Sequence, residues 1–217
     1  MTREEIITRT TEHVRALLAG EGSGHDWWHI ERVRTTALRI AREERGDPYV
    51  TELAALLHDV ADHKFHGGDS TAGPRAARAW LESVGVDGPT TEHVCEIVEG
   101  VSFKGAGVPT PMRTTEGKAV QDADRLDAIG AIGIARAFAY GGSRGRALFE
   151  PSAPPEAHGS FEAYRSSEGS TVNHFHEKLL LLRDRMQTGA GRRIAEGRHA
   201  FMEEFLERFL DEWHGKC

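Results

Sequence analysis

A histidine and an aspartate stand side by side in an apolar stretch of this chain, Leu56-Leu57-His58-Asp59-Val60-Ala61-Asp62. Burying adjacent ionisable groups costs free energy unless another group compensates their charge and hydrogen-bonding capacity. A divalent metal ion is a natural partner, because imidazole nitrogen and carboxylate oxygen are both good metal ligands. The simpler interpretation, a helix cap or a surface salt bridge, is disfavoured by the apolar residues on both sides. The pair therefore predicts a metal site.

Two histidines upstream are candidates for a third ligand. His25 follows Gly22-Ser23-Gly24, so it belongs to a loop and is expected to contact substrate or to cap the next helix. His29 adjoins Ile30 and precedes Val33 by one helical turn, which directs it toward packed neighbours and makes it the preferred ligand. On its own, a histidine at such a position is more often an ordinary core residue.

Three aspartates downstream compete for the fourth position. Asp122, Asp124 and Asp127 cannot all point the same way from one helix, because their spacing does not match the helical period. Apolar Leu126 and Ile129 lie beside them, which disfavours a plain solvated surface for the whole group. Asp122 has an alternative role as the N-cap of the helix. The residues alone leave the choice among the three aspartates open.

The order of these residues, His29, then His58-Asp59, then Asp124, resembles the H…HD…D ligand pattern of the HD superfamily of metal-dependent phosphohydrolases. The last aspartate of that pattern generally stands in an Ala-Asp-x-Leu context, which residues 123–126 match and which selects Asp124. The resemblance implies an all-α fold, an HD-domain helical bundle with little or no sheet. It also implies one divalent transition metal per chain, with four ligands: His29, His58, Asp59 and Asp124.

A bacterial subgroup of HD hydrolases, implicated in nucleotide pyrophosphohydrolysis, is similar to most of this chain. The similarity lies in five segments, residues 24–29, 62–65, 102–104, 121–134 and 173–178. It implies hydrolysis of nucleoside triphosphates to monophosphate and pyrophosphate by a metal-bound water, with a nucleotide or another small phosphate ester as the partner. The mixed nitrogen and oxygen ligand set suits Mn²⁺, the expected ion, and also Fe²⁺, Co²⁺, Ni²⁺ or Zn²⁺.

Further polar residues near these motifs are candidates for the chemistry around the metal. Protonation of the leaving group or positioning of water is expected from Asp62, His63, His174 or Glu177. The resemblance makes Asp127 a further catalytic candidate, as a carboxylate that supports the ligands or faces the substrate. Charge that develops on the phosphoryl oxygens requires cations and hydrogen-bond donors held in place. The candidates for binding substrate are His25, Lys64, Lys104, Arg125, His174, Glu177 and Lys178. The simpler interpretation of each lysine is a solvated surface residue.

Rival functions use the same residues. A 5′-nucleotidase, or another phosphomonoesterase or phosphodiesterase, would use the same metal site, and a non-catalytic nucleotide sensor would bind without turnover. Alarmone hydrolases of the HD class resemble His-Asp-x-x-Glu-Asp at the central motif, whereas residues 58–63 read His-Asp-Val-Ala-Asp-His. The Gly-Tyr-Pro element of cyclic dinucleotide hydrolases does not occur in the sequence. Glu116-Gly117-Lys118 lacks the remaining residues of a phosphate loop, so we reject that interpretation.

Helices are predicted to position these residues. Thr2 and Glu5 form a capping box that begins a first helix ending near Leu18. Apolar periodicity predicts a second helix over residues 27–44 and a third over residues 49–62, which would place His58 and Asp59 inside a buried helix.

Later segments also have helical patterns. A helix over about 118–140 is expected to break near Gly130 and Gly133, and further apolar stripes run over 172–186 and 202–213. His174 and Lys178 would lie one turn apart and reach the same cleft. The segment over 141–159 is rich in glycine and proline, and it is either a mobile lid or a disordered loop.

Composition limits the classes of protein that fit. The 217 residues suit a single HD phosphohydrolase domain, residues 1–217, with a metal-site core at about 20–140 and C-terminal helices, 156–217, packing on it. The formal charge of −7 disfavours nucleic acid as a partner. A charged N-terminus, two cysteines without metal-site spacing and no apolar run of about 20 residues predict a cytoplasmic protein that does not enter a membrane. We expect a monomer or a homodimer.

Overall fold

The computed structural model of the chain describes residues 1–19, 26–60, 71–102, 108–156 and 169–216. Every regular element in these ranges is a helix and none is a strand, so the all-α prediction is confirmed. No helix in the same ranges is both long enough and apolar enough to cross a bilayer. The chain divides into two compact units, Met1–Phe103 with Thr110–Asp124, and Lys104–Pro109 with Arg125–Cys217. The expectation of a single domain stays a prediction.

The first unit is built from helices that begin at short polar side chains. Its described helices are α1 (Arg3–Leu17), α2 (Trp27–Glu44), α3 (Pro48–Leu57), α4 (Ala72–Ser83), α5 (Gly88–Gly100) and α6 (Thr115–Asp127), the last belonging to this unit up to Asp124. Backbone N–H groups in the first turns of α1, α2, α3 and α5 donate to the side chains of Thr2, Asp26, Asp47 and Asp87. The predicted capping box and the predicted bounds of α2 are confirmed.

The helix α3 is the most buried element of the first unit. Residues 53–57 have no exposed surface, and α3 packs against α1, α2 and α5. Each large aliphatic side chain buried in this way contributes roughly 1.5–3 kcal/mol to folding. The Arg34 guanidinium of α2 also donates to the Glu52 carboxylate of α3, with Nε 2.8 Å from Oε1. The C-terminal end of α3, where His58 and Asp59 follow, is therefore held firmly in the unit.

The third helix is shorter than its sequence pattern predicts. The expected helix over residues 49–62 ends at Leu57, and His58 is the C-cap residue, so the His58-Asp59 pair follows a helix instead of lying inside one. Residues 58–60 form a turn, in which the Val60 amide donates to the Leu57 carbonyl at 3.4 Å. Apolar Val60 and Ala61 continued the pattern in the sequence, and hydrophobicity alone does not distinguish a helical turn from the turn that ends it.

The second unit contains the remaining helices of the described chain. These are α7 (Gly130–Ser143), α8 (Thr171–Glu177), a 3₁₀ helix (Leu179–Arg185) and α9 (Gly189–Trp213). Rings of α7, α8 and α9 pack together, with the Phe175 centroid 6.0 Å from that of Phe138 and 5.9 Å from that of Phe205. The predicted break near Gly130 is confirmed, because α6 ends at Asp127 and Gly130, with a φ of 74°, begins α7.

The glycine-rich segment over 141–159 is partly helical and partly anchored. Residues 141–143 complete α7, and the amides of Thr171 and Val172 donate to the carbonyls of Ala147 and Leu148 at 2.9 and 3.0 Å. The Asn173 side-chain amide donates to a further carbonyl of this segment, that of Ala153, at 2.8 Å. Residues 157–159 lie outside the described ranges. The described part of the segment is thus tied to the start of α8.

The expected helix over residues 172–186 is two elements. α8 ends at Glu177, and Lys178 adopts φ −141° and ψ −59°, which is not helical. The Lys178 amide still donates to the His174 carbonyl at 3.1 Å, so the two residues remain one turn apart, and their reach to the same cleft stays a prediction. The next residues form a 3₁₀ helix, whose period of three places Leu179 and Leu182 on one buried side. Leucines three residues apart fit both helix types, which explains why the sequence pattern indicated one continuous α-helix.

Gly130 offers a test of the packing between α7 and α9 in the second unit. A Cβ at Gly130 would lie 2.9 Å from Arg198 Cγ, and its φ is in the left-handed region. Gly85 has a similar φ of 77° but open space around the same position. We expect Gly85→Ala to cost about 1 kcal/mol, and Gly130→Ala to cost about 1–3 kcal/mol more because of the overlap. Urea unfolding of both variants measures the difference, and equal losses would contradict the described packing.

Candidate metal centre

Three elements of the first unit bring four of the predicted residues together. His29 lies in the first turn of α2, His58 and Asp59 follow α3, and Asp124 lies in α6. One ligand atom from each of His29, His58 and Asp59 lies within 4.8 Å of the others. Residues from three separate parts of the chain therefore converge on one point in the folded unit.

The start of α2 holds His29 in a fixed place. The Asp26 carboxylate caps the helix by accepting a hydrogen bond from the His29 amide at 2.9 Å. Ile30 and Val33, one residue and one turn further on, are completely buried. The His29 side chain is 1% exposed, so its ring is a buried polar group that needs partners.

The ring of His58 is oriented by its own helix. His58 Nδ1 lies 2.8 Å from the Ala55 carbonyl oxygen, which can only accept, so Nδ1 carries the hydrogen that is donated. In the neutral ring Nε2 then carries a lone pair. Histidines that bind metals are commonly oriented in this way, with one nitrogen donating to a carbonyl and the other free to coordinate. The end of α3 therefore prepares His58 Nε2 to act as a ligand.

Short distances connect the two imidazoles and the two carboxylates. His29 Nε2 lies 3.2 Å from His58 Nε2, and 3.5 Å from both Asp59 Oδ2 and Asp124 Oδ1. His58 Nε2 lies 3.9 Å from the same two oxygens. Ligand atoms about 2.1 Å from one ion lie about 3.0 Å apart when adjacent in an octahedron, and about 4.2 Å apart when opposite. All five separations are below the upper limit of about 4.2 Å, so one ion could contact all four atoms.

The chemistry of these four atoms fits a cation. Three acceptors surround His29 Nε2: the lone pair of His58 Nε2, Asp59 Oδ2 and Asp124 Oδ1. His29 Nε2 can offer at most one hydrogen. One hydrogen on His29 Nε2 cannot bond all three of these acceptors at once. A divalent ion would contact all four atoms and balance the two carboxylate charges.

Exposure differs across the cluster. The side chains of His29 and His58 are each 1% exposed, whereas Asp59 is 11% and Asp124 is 29% exposed. The imidazoles therefore form the closed side of the cluster, and solvent reaches it on the side of Asp124.

Comparison with known proteins identifies the family. The HD domain family matches residues 27–129, a range that includes all four clustered residues. An HD-superfamily hydrolase of known structure from Bacillus thuringiensis is 43% identical, over 98% of this chain and 99% of that chain, with a TM-score of 0.76. The chain belongs to the HD superfamily. The predicted resemblance is confirmed, and an HD domain implies a divalent metal.

Two more relatives of this HD protein also match nearly the whole chain. The uncharacterized protein YpgQ of Bacillus subtilis is 39% identical over 204 residues, which is 90% of this chain and 87% of YpgQ. A YpgQ crystal structure in complex with ADP matches with a TM-score of 0.71 and 36% identity, over 93% of this chain and 96% of that chain. A protein from Lactobacillus plantarum gives a TM-score of 0.86 at 36% identity, over 99% and 100% of the two chains.

His25, Asp62, His63, Lys64 and Lys104 lie outside the described ranges, so their predicted roles stay predictions.

The remaining predicted residues belong to the second unit and make local contacts there. Asp127 is 4% exposed, and its Oδ2 accepts from Arg136 Nη1 at 2.7 Å. Arg125 is also buried, and its Nη1 donates to the Arg185 carbonyl.

The three predicted substrate-binding residues near the end of α8 have different surroundings. Glu177 is buried, and its Oε1 accepts from the Glu156 amide at 3.2 Å. His174 and Lys178 are both half-buried, and the Lys178 amide donates to the His174 carbonyl at 3.1 Å. Their roles in binding substrate stay predictions.

Two supporting groups were not anticipated from the sequence. Asp26 stands three residues before His29, which is the spacing of an N-cap side chain, so a capping rule finds it. The Ala55 carbonyl that orients His58 belongs to the backbone, and no residue type in the sequence marks it.

The contribution of Asp59 to metal binding is testable by substitution. We expect Asp59→Ala to weaken Mn²⁺ binding at least about 100-fold, because it removes one ligand and half of the compensating charge. Asp184→Ala, which removes a 72% exposed carboxylate from the 3₁₀ helix, is the matched control and should leave binding unchanged. Isothermal titration calorimetry gives both affinities. Full binding by Asp59→Ala would count against this residue as a ligand.

The protonation of His58 provides a second test that needs no metal. In the metal-free protein, nitrogen-15 NMR of the neutral His58 ring should find its hydrogen on Nδ1. The hydrogen bond to the Ala55 carbonyl requires this tautomer. A hydrogen on Nε2 would show that the ring is not prepared for coordination as described.

Proposed function

We propose that this chain is a metal-dependent phosphohydrolase that converts nucleoside triphosphates to monophosphates and pyrophosphate. The observation that carries the proposal is the convergence of His29, His58, Asp59 and Asp124, in which three acceptor atoms face one imidazole nitrogen. The chain belongs to the HD superfamily, and a relative of known structure is an HD-superfamily hydrolase. Both findings support a hydrolytic reaction.

The four residues would hold one divalent ion, for which we propose Mn²⁺. When bound, such an ion supplies positive charge to phosphoryl oxygens and makes water more acidic. The contribution of the protein is to orient the ligands: the Ala55 carbonyl directs the His58 ring, and the Asp26 cap places His29 at the start of α2. The exposed side of Asp124 leaves a route by which a phosphate group approaches the cluster.

The charge of the ligands has a consequence for substrate binding. Two carboxylates neutralise a divalent ion, so the ion and its ligands together carry no net charge toward a polyphosphate. The formal charge of the chain is also negative, −7. Phosphate binding therefore requires local cations, and we propose Lys64, Lys104, Arg125 and Lys178 for this role, with His25, His174 and Glu177 as further contacts to substrate.

Proton transfer completes the proposed reaction. We assign protonation of the leaving group or positioning of water to Asp62, His63 and Asp127. The contact of Asp127 with Arg136 supports a positioning role, because an ion pair fixes the orientation of a carboxylate. All three residues stand close in sequence to a proposed ligand.

A nucleotide is the proposed partner for two reasons. The resemblance of five segments to the pyrophosphohydrolase subgroup supports a nucleoside triphosphate. YpgQ, which matches 93% of this chain, was crystallised with ADP, and this supports nucleotide binding by a relative of the same fold. We further propose that the protein acts in the cytoplasm, as a monomer or a homodimer, and does not bind nucleic acid.

The products of the reaction test the proposal. With Mn²⁺ and a panel of ribo- and deoxyribonucleoside triphosphates, we expect equal amounts of pyrophosphate and monophosphate. Asp59→Ala, purified in the same way, should give neither product and thus controls for contaminating enzymes. Orthophosphate released from monophosphates would instead indicate a nucleotidase. Nucleotide binding without any product would indicate a sensor, and either result would overturn the proposed activity.

A further inference from the structure

Glu116 is an unusually buried glutamate in the first turn of α6. Its side chain is 13% exposed, whereas glutamates are mostly exposed in folded proteins. It stands two turns before Asp124 on the same helix. A glutamate in a first turn commonly serves only to stabilise the helix through its dipole. The contacts of Glu116 extend beyond its own helix and suggest a larger role.

One carboxylate oxygen of Glu116 binds the turn between α2 and α3. Its Oε1 accepts from the Asp47 amide at 2.7 Å, a contact between residues that are 69 positions apart. A Cβ on the preceding Gly46 would lie 3.2 Å from the same oxygen, so a glycine suits the close approach of the turn. A hydrogen bond from an amide to a carboxylate is among the stronger hydrogen bonds in proteins.

That turn is the junction of two helices that carry proposed ligands. Arg45, with a φ of 62°, ends α2, and the Gly46 amide donates to the Ala41 carbonyl at 2.8 Å. Asp47 then caps α3, with its Oδ1 2.8 Å from the Tyr49 amide. The bond from Glu116 therefore links α6, which carries Asp124, to the element that joins α2 and α3.

The other oxygen of Glu116 faces α5. Glu116 Oε2 lies 3.7 Å from His93 Nε2, and the same nitrogen lies 2.9 Å from Thr114 Oγ1. Thr114 in turn accepts from the Gly117 amide at 3.2 Å, which satisfies a free N–H group at the start of α6. The N-terminus of α6 is thus held by the His93 side chain of α5 and by the backbone of the turn between α2 and α3.

Side-chain contacts are important for placing α6. A second contact, from the Gln121 side-chain amide to the Gly100 carbonyl at 2.8 Å, also joins α6 to α5. The bond to Asp47 is different, because it connects α6 to the helices of His29 and His58.

We propose that Glu116 is a positioning residue for the metal centre. By holding the start of α6 against the turn between α2 and α3, it sets the position of α6 along its axis and places Asp124 opposite His29 and His58. The inference rests on the proposed metal site. It assigns a function to the Glu116-Gly117-Lys118 segment that does not involve phosphate.

The test compares metal affinity with stability in three proteins. Glu116→Ala removes the acceptor for the Asp47 amide, and we expect it to weaken Mn²⁺ binding, measured by calorimetry, at least tenfold. Glu116→Gln keeps an oxygen in the same place and should bind Mn²⁺ within threefold of the parent protein. Trp80→Phe is the control, because it removes a 3.0 Å hydrogen bond to Thr10 between α1 and α4, which carry none of the four proposed ligands. It should lower the Tm without changing the affinity.

A spectroscopic readout distinguishes positioning from general loss of stability. The visible absorption of bound Co²⁺ depends on its ligands, so Glu116→Ala should change the Co²⁺ spectrum whereas Trp80→Phe should not. If Glu116→Ala does not fold, Glu116→Asp, which keeps the charge but shortens the side chain, replaces it with the same expected tenfold loss. The inference would be overturned if Glu116→Ala, or Glu116→Asp in its place, keeps the Mn²⁺ affinity and the Co²⁺ spectrum of the parent protein.

Asp124→Ala separates failure of this inference from failure of the metal site itself. If Asp124→Ala loses Mn²⁺ affinity while Glu116→Ala retains it, the metal site stands and the positioning role is wrong. If Asp124→Ala also binds Mn²⁺ like the parent protein, Asp124 is not a ligand, and both the proposed site and the positioning role are wrong.

Discussion

The proposed site depends on one arrangement, in which three acceptor atoms lie close to a single imidazole nitrogen and a cation would fit among them. His29 Nε2 faces one imidazole lone pair and two carboxylate oxygens, and a single hydrogen cannot satisfy all three. Two carboxylates and an imidazole lone pair held this close to one another are stabilised when a positive charge lies between them. A divalent ion removes the conflict and supplies the charge that phosphate chemistry requires.

Helix ends, more than helix faces, build this arrangement. His29 follows the Asp26 cap of α2, and His58 caps the C-terminus of α3, where it donates to a carbonyl of its own helix. At a helix end the backbone already has polar groups that need partners, so a polar side chain is accommodated there with less disturbance than in a helix interior. The apolar body of α3 anchors the end, and Glu116 brings α6 to it.

Local rules predicted much of the fold and the candidate ligands, and the resemblance to the HD pattern selected Asp124 from three aspartates. The bounds of α2 follow from apolar periodicity after Asp26, and the capping box of Thr2 and Glu5 begins α1 as expected. Periodicity failed where two structures share one pattern. Val60 and Ala61 continued the apolar run past the end of α3, and leucines three residues apart concealed the 3₁₀ helix over 179–185.

The supporting contacts of the site were harder to predict for a physical reason. The partner of His58 is a backbone carbonyl, which every residue possesses, and the partner of Glu116 is an amide 69 positions away. Neither contact can be predicted from residue types or from their spacing. The His58-Asp59 pair was predictable from residue type, because histidine and aspartate among apolar neighbours are costly to bury without a partner.

Diffraction from crystals soaked in Mn²⁺, recorded at the absorption edge of manganese, tests the central claim most directly. The account predicts one strong anomalous peak per chain, about 2.0–2.3 Å from Nε2 of His29, Nε2 of His58 and an oxygen of each of Asp59 and Asp124. A peak bound to other side chains, with these four pointing away from it, would contradict the account.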